Sequence, residues 1–561
     1  MTDSPALDSY PADTKSRHGL AWLLWGDVTG PSTYYLSRRL FLRLLGLVYL
    51  IAFVSLGVQV SGLIGQRGIL PVESVLRAVY ENVGADGYWK LPTLCWLSAS
   101  DVFLHFQCVA GALLSLLLIA GVAPMPALFL LWVLYLSLVK AGQAFLSFQW
   151  DILLLETGFL TIFFAPRSWL PDPKHESPPS RVFLFLLRWL LFRLMLLSGL
   201  VKFWSQDGTW TPLTALNFHY YTQPLPAWTS WYTHQWPEWL QKSCVVIMFV
   251  IELAVPFLIF APRRLRHFAG VVFVAFMLVI AATGNYNFFN LLGIALCVLL
   301  LDDALLLACA RITRARIARA RILFRTGPLA GILSRIRRED SPDRRWPGLI
   351  GVLFAILIVP WSLIVADQRL RRCPGWARIS GGSRTWFQQE HPEATKRVAN
   401  IIGQIDAWTG PFDLVNAYGL FQSMTTARPE IIIEGSNDGK EWLAYEFRWK
   451  PGDLTRPPRF AQPHQPRLDW QMWFAALQGY QRTHWFRPLL QRLLEGSPEV
   501  LNLLAKNGSA AQQAFPDRPP RYIRAIVYQY HFTDREAHRA TGQWWTRENA
   551  RPYSPVFQKR D

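Results

Sequence analysis

Cysteine is scarce in this chain and scattered. The six, Cys95, Cys108, Cys244, Cys297, Cys309 and Cys373, include no Cys-x-x-Cys. Neither a thioredoxin-like site nor a zinc site is indicated. Only Cys373 lies beyond the last apolar run, so no intrachain bridge can close there and packing must hold that part together. Catalytic fingerprints are missing as well. There is no Walker loop and no dinucleotide-binding glycine pattern, which argues against ATP-driven work. There is no Gly-x-Ser-x-Gly elbow, and His464, Asp469 and His484 form no nucleophile–base pattern. No cofactor and no metal is expected. Acidic residues are outnumbered by basic ones, 39 to 57, giving a net charge of +18. Such a surplus can mark a nucleic-acid binder. Here its densest block, Arg311 to Arg345, sits between two apolar runs, where the positive-inside pattern puts basic residues anyway. Nucleic acid is not an expected partner.

What the chain has in quantity is apolar sequence: 51% of residues are hydrophobic and 14% aromatic, against 17% charged. That is too greasy for a soluble protein and too charged for one buried in lipid throughout. The expected architecture is an α-helical polytopic membrane bundle followed by a mainly β, sandwich-like soluble domain with helical insertions. A polar tail occupies 1–39, membrane segments 40–306, an arginine-rich loop 307–346, a last transmembrane helix 347–366, and the β-rich domain 367–561. About nine spans are expected: Leu40–Ile64, Val102–Gly121, Pro126–Phe145, Phe148–Ala165, Val182–Phe203, Ser243–Ala261, Phe268–Thr283, Phe288–Leu306 and Pro347–Ala366. Each is near the length a helix needs to cross a bilayer. The first is too long for a signal-peptide core and reads as a signal anchor.

Loop charges orient the spans. With the N-terminus inside, the inner loops carry Arg38-Arg39, Arg167 with Arg181, Arg263-Arg264-Arg266 and the arginine-rich loop. The outer loops 65–101 and 204–242 are close to neutral, as the positive-inside rule requires. An odd number of spans places the C-terminal domain outside, in a periplasm-like or lumen-like space.

In that domain Glu430 to Glu434 reads as a strand. Ser436-Asn437-Asp438-Gly439 has the residues of a tight turn. Trp442 to Trp449 then alternates, with Tyr445, Phe447 and Trp449 on one face. Trp408 to Val415 and Arg521 to Phe532 are further strand candidates. Asp469 to Tyr480 has helical spacing, with Trp470, Trp473, Phe474 and Leu477 on one side. Ser497-Pro498-Glu499 opens a short helix, serine as cap.

The stretch from Asn416 to Asp453 is also specific enough to suggest a family. Asn416-x-Tyr418-Gly419-Leu420-Phe421, Met424-Thr425-Thr426-x-Arg428, Glu434-Gly435-Ser436-x-Asp438-Gly439 and Lys450-Pro451-Gly452 follow one another in order. Gln465-Pro466-Arg467-Leu468-Asp469-Trp470-Gln471-Met472-Trp473-Phe474-Ala475-Ala476-Leu477 comes next, and Ile523-Arg524-Ala525, Tyr528-x-Tyr530-x-Phe532 and Trp544-Trp545-x-Arg547 close the pattern. In these residues the chain resembles the lipase maturation factors over nearly its whole length. One departure is visible: Asn507-Gly508-Ser509 stands where the family pattern leads one to expect Asn-Pro-Phe. The resemblance implies a membrane-bound, chaperone-like factor that assists folding and assembly of secreted clients, lipases among them, and is not itself a lipase. The expected partners are those clients and membrane lipids. Eukaryotic relatives would place the large domain in the endoplasmic reticulum lumen. For this chain, whose sequence shows no transit or retention signal and whose loops are compact, a bacterial inner membrane is expected, with the N-terminus cytoplasmic and the C-terminal domain periplasmic.

Charges inside apolar spans are costly unless paired. Asp151 and Glu156 fall in the fourth span, Arg188, Arg193 and Lys202 in the fifth, Glu252 in the sixth. The expected pair is Arg193 with Glu252. Ser198-Gly199-x-x-Lys202, followed by Asp207-Gly208-x-Trp210, is similar to the horizontally transferred transmembrane domain family, which includes the vitamin K-dependent γ-carboxylases. That likeness implies an alternative in which Lys202 is a catalytic base of a membrane enzyme. Loop 204–242 is dense in aromatics, as an interfacial belt or a surface for client protein would be. The candidate client surface is Trp470, Trp473 and Phe474 with the facing hairpin; the bland reading of the same residues is core.

Overall fold

The computed structural model describes residues 32–170, 176–317, 348–379, 403–405, 407–505, 510–515 and 518–559. Most of the N-terminal tail, most of the arginine-rich loop and the Asn507-Gly508-Ser509 departure lie outside them. The apolar runs fold as helices because a backbone in hydrocarbon must satisfy its own hydrogen bonds. They are α1 (Tyr35–Gly57), α2 (Asp101–Ala120), α3 (Pro124–Ala141), α4 (Gln149–Phe164), α5 (Arg181–Phe203), α6 (Glu238–Leu253, continued by a 3₁₀ turn Val255–Phe260), α7 (Arg263–Thr283), α8 (Phe289–Val298), α9 (Asp303–Ile317) and α10 (Gly348–Leu370).

Among the described residues seven of these are long and apolar enough to cross a membrane, α1, α2, α3, α5, α6 with its 3₁₀ turn, α7 and α10. The number is eight if α8 and α9, bent by 107° at their junction, are taken as one span. The nine expected runs are therefore not all spans by length. α4 has 16 residues and α8 only 10.

The bundle is closed by small residues and terminal carboxylates. A Cβ on Gly111 of α2 would stand 2.4 Å from the Phe53 ring of α1, so the two backbones approach as only glycine permits. Asp303 accepts hydrogen bonds from the Tyr35 and Leu36 amides, at 2.8 and 2.9 Å. A distant carboxylate thus supplies the N-terminal cap that α1 lacks locally.

The C-terminal half holds one antiparallel sheet: β1 (Arg428–Ser436), β2 (Leu443–Tyr445), β3 (Tyr522–Phe532), β4 (Trp545–Pro552) and β5 (Phe557–Gln558). The order is β2-β1-β3-β4, with β5 also on β3. A sandwich was expected. Among the described residues no second sheet faces the first; helices α11 (Arg467–Gln478) and α12 (Phe486–Glu495) pack against β1 and β3 instead. Apolar helix faces can bury a sheet face as well as strands can.

The turn at 436–439 forms as read. Asp438 accepts from the Ser436 hydroxyl and the Lys440 and Glu441 amides, and Gly439 takes φ +73°. Tyr445 and Phe447 are buried on one face, although only Leu443–Tyr445 is paired as strand. Trp408 to Val415 is helical turn, not strand. The helix after Ser497 exists as Pro498–Leu501, but the Ser497 hydroxyl donates to the Arg67 carbonyl instead of capping it.

Candidate functional site

Several residues of the family pattern weld the two halves together. Asn416 to Gly419 leads into the sheet and lies on α4 and α5. Glu156 of α4, fully buried, accepts from the Asn416 amide at 3.0 Å and the Tyr418 hydroxyl at 2.6 Å. Arg193 of α5 bonds the same carboxylate and donates to the Asn416 carbonyl at 2.9 Å. The Gly419 N–H donates to the Gln149 side-chain Oε1, and the Gly419 carbonyl accepts from its Nε2. It sits at φ +146°, and a Cβ there would meet Val201 at 2.8 Å, so glycine is required twice over.

A second weld lies at α11. Arg467 is completely buried; its guanidinium donates to both Asp151 oxygens, at 2.9 Å each, and to the Phe145 carbonyl at 2.8 Å. Tyr135 donates to the same carboxylate. Asp151 and Arg467 are 316 positions apart in sequence. Forked two-point pairing of this kind is what arginine supplies and lysine cannot. A third weld is Arg428, whose fork donates to the Tyr221, Gln223 and Pro224 carbonyls and to Glu430. Burial pushes this guanidinium below its ordinary value, with Glu430 acting the other way. Asn285, in the turn between α7 and α8, bonds the Ala461 amide and the Arg459 carbonyl.

The expected pairing of Arg193 with Glu252 is not what the structure shows. Arg193 goes to Glu156, and Glu252 goes to Lys202, whose ammonium donates to both carboxylate oxygens at 2.7 Å. The two acids face different sides of α5, a matter of helix rotation that the sequence positions do not display. Lys202 is thus a paired, buried cation and not a lone amine, and its candidacy as a base is not favoured.

The proposed client surface also changes meaning. Trp470 is buried, with its ring 4.8 Å from Trp150 and 5.8 Å from Phe148. Trp473 is half-buried and donates its indole N–H to the Thr222 carbonyl at 2.8 Å. Phe474 reaches Phe148. This aromatic face docks the C-terminal half on the bundle and is not a free surface. The remaining pattern residues shape the sheet: Glu434 pairs with Arg524 at 2.7 Å, Gly435 lies against Phe515 and Pro520, and Asp469 accepts the Trp449 and Lys450 amides. Burial raises the Asp469 carboxyl, against those two donors. The aromatics of 204–242 divide: Trp210, Tyr220, Tyr221 and Trp231 are buried, whereas Trp228, Tyr232, Trp236 and Trp239 are exposed.

Between α5, α6, α7 and the segment 420–424 lies a cavity of about 200 Å³. Apolar side chains, including Met195, Met248, Met277 and Met424, form most of its wall; Lys202 with Glu252, and His219 with Tyr286, are its polar members. Nothing near His219 in the sequence marks it out. Its partner Tyr286 lies 67 positions away. Among the described residues no three His, Cys, Asp or Glu side chains cluster as metal ligands would.

Apolar helices long enough to cross a membrane, joined through buried ion pairs to a C-terminal half with an antiparallel sheet, define a polytopic integral membrane protein. Comparison with known sequences identifies which kind. The model of the lipase maturation factor transmembrane domain matches residues 36–308, and that of the lipase maturation factor C-terminal domain matches 414–555. Lipase maturation factor 2 of Xenopus laevis is 37% identical over 594 residues, covering 93% of this chain and 82% of that protein. Lipase maturation factor 2 of Homo sapiens is 36% identical, covering 94% and 83%. Lipase maturation factor 1 of Mus musculus is 33% identical, covering 99% and 91%. No solved structure matches. The chain belongs to the lipase maturation factor family.

Proposed function

We propose that this protein is a membrane-bound maturation factor that assists folding and assembly of exported clients, lipases among them, with its C-terminal half on the outer face of the membrane. The observation that carries the reading is family membership over both halves of the chain. The welds add a physical reason: a C-terminal half fixed to the bundle at Glu156, Asp151 and Arg428 is held at the membrane surface, where an emerging client would meet it.

The orientation rests on nine crossings. α4 and α8 are shorter than a lipid-facing span, but both are mostly enclosed by other helices and need not match the hydrocarbon thickness. α4 runs from Gln149, bonded to Gly419, to Phe164, packed on Phe41 near the start of α1. The segment containing α8 runs from Asn285, bonded to Ala461, toward Asp302, bonded to Arg263. On this reading each links the face bearing the C-terminal half to the face bearing the N-terminus. An odd count then separates the two ends, in agreement with the arginine distribution.

The test is co-expression of a secreted lipase with and without this chain. Specific activity per molecule of exported lipase should rise with the chain present, and crosslinking from the C-terminal half in intact membranes should capture the immature lipase. Unchanged specific activity across several exported lipases, with no crosslinked client, rejects the reading.

A further inference from the structure

The cavity beside Lys202 has a polar end with one unmet demand. Gln223 donates its amide N–H groups to the Thr283 carbonyl at 3.0 Å and the Ser230 hydroxyl at 3.0 Å, which fixes its Oε1 as an acceptor. Tyr286 donates its only phenolic proton to that oxygen at 3.2 Å. The 3.2 Å contact between Tyr286 Oη and His219 Nε2 must then be donated by the histidine. His219 is consequently the Nε2–H tautomer, and its Nδ1 is a bare acceptor, buried and without a hydrogen-bond partner. Unpaired buried acceptors are uncommon and ask for a donor.

Charge narrows the donor. Lys202 and Glu252 neutralise each other inside the cavity, so neither an anionic nor a cationic headgroup has an open partner there. The wall narrows the rest of the molecule. Four methionines line it, and thioethers adapt to an irregular, flexible chain. At about 200 Å³ the space takes one chain segment, not a bulky headgroup. Val279 lines the cavity and is 60% exposed on α7, so the cavity reaches the outer surface of the bundle, where hydrocarbon is the solvent. Trp236 and Thr283 also line it.

We propose that this cavity is a docking slot for a neutral lipid alcohol of the diacylglycerol type, one acyl chain lying among Met195, Met248 and Met277 and the free hydroxyl donating to His219 Nδ1. The polar end then sits at headgroup depth and the chain runs inward between α6 and α7, as an amphipathic lipid is oriented in the bilayer. The slot couples a membrane lipid to the junction of the two halves through Phe421 and Met424, which belong to the segment entering the sheet. The inference goes beyond the maturation reading and does not depend on which client is served.

The test uses the full chain in phosphatidylcholine nanodiscs with a photoactivatable diacylglycerol, followed by peptide mapping and competition. Label is expected on α5, α6 and α7. Unlabelled diacylglycerol should compete about tenfold better than triacylglycerol, which lacks the hydroxyl, or phosphatidate, which brings a charge. His219→Phe should erase that preference while leaving weak labelling. Val279→Trp, a change at an exposed position, should reduce labelling whether or not the His219 variant folds. Equal competition by all three lipids means ordinary boundary lipid and overturns the proposal, as does stronger competition by phosphatidate. Label confined to other helices, or labelling indifferent to Val279→Trp, overturns it too.

Discussion

Tyr418 donates to Glu156 Oε2 at 2.6 Å, and the same carboxylate holds Arg193, so one buried acid ties α4, α5 and the entry to the sheet. Removing one partner of such a group leaves a charge unpaired in a low-dielectric site, at about 3–5 kcal/mol. Arg193→Leu and Glu156→Leu should each lower the yield of folded protein, and the double change should recover part of it. Glu252→Leu should not rescue Arg193→Leu. Fluorescence-detected size exclusion of detergent extracts reads all four, and rescue by Glu252→Leu would refute the pairing.

The Arg467–Asp151 fork spans the two halves. Arg467→Lys keeps the charge but cannot span both oxygens and the Phe145 carbonyl, so about 2–4 kcal/mol of the docking should go. The expected readout is protease cleavage in the C-terminal half of membrane-embedded protein, where the parent resists. Equal resistance would show that the fork does not hold the halves.

Trp470 and Leu477 lie on the same helix with opposite fates, one buried against Trp150 and the other 39% exposed. Trp470→Ala should cost about 3–5 kcal/mol, and Leu477→Ala within about 0.5 kcal/mol of nothing. Thermal denaturation in one detergent compares them directly. A Trp470→Ala protein that melts like the parent would restore this face as a client surface.

Acid should loosen the assembly before the carboxylates titrate. Burial, then Arg467 and Arg448, lowers His464 to about 4; burial, then Lys202, lowers His219 to about 4. An unfolded histidine titrates near 6.5. Between those values the unfolded chain binds more protons than the folded one, so stability falls as pH drops from about 6.5 to 4 and levels below. The slope is bounded by about 3 kcal/mol per histidine. His464→Gln should flatten it in denaturation measured at pH 7, 5.5 and 4; an unaltered slope rejects the assignment.

Reporter fusions check the orientation. A periplasmic-type reporter joined after Ala366 should be active, and one joined within 318–345 inactive, because the positive-inside rule predicts the basic loop on the inner side. Activity at both sites, or the reverse pattern, would require a different number of crossings.

The sequence by itself determined the local elements and the family. Apolar runs of fixed length specify helices in lipid, alternation at Tyr445 and Phe447 specifies one buried face, and Ser436 to Gly439 can only turn; these are properties of neighbours along the chain. It also marked Asp151, Glu156, Arg193, Lys202 and Glu252 as charges that needed partners, since their cost depends only on depth. Partner choice was another matter. Glu156 and Glu252 are equally plausible for Arg193 on a line, and the rotation of α5 decides between them. Asp151 finds Arg467 in the other half of the protein, a pairing no spacing rule reaches. Hydropathy likewise cannot tell a lipid-facing helix from an enclosed one, so α4 and α8 read as ordinary spans. The sheet was legible strand by strand, but not what covers it: the face expected to meet a second sheet meets α11 and α12. The pattern residues follow one another along the chain; only the folded chain explains their company, with Asn416, Tyr418, Gly419, Arg428 and Arg467 converging on the seam where the membrane half and the sheet meet.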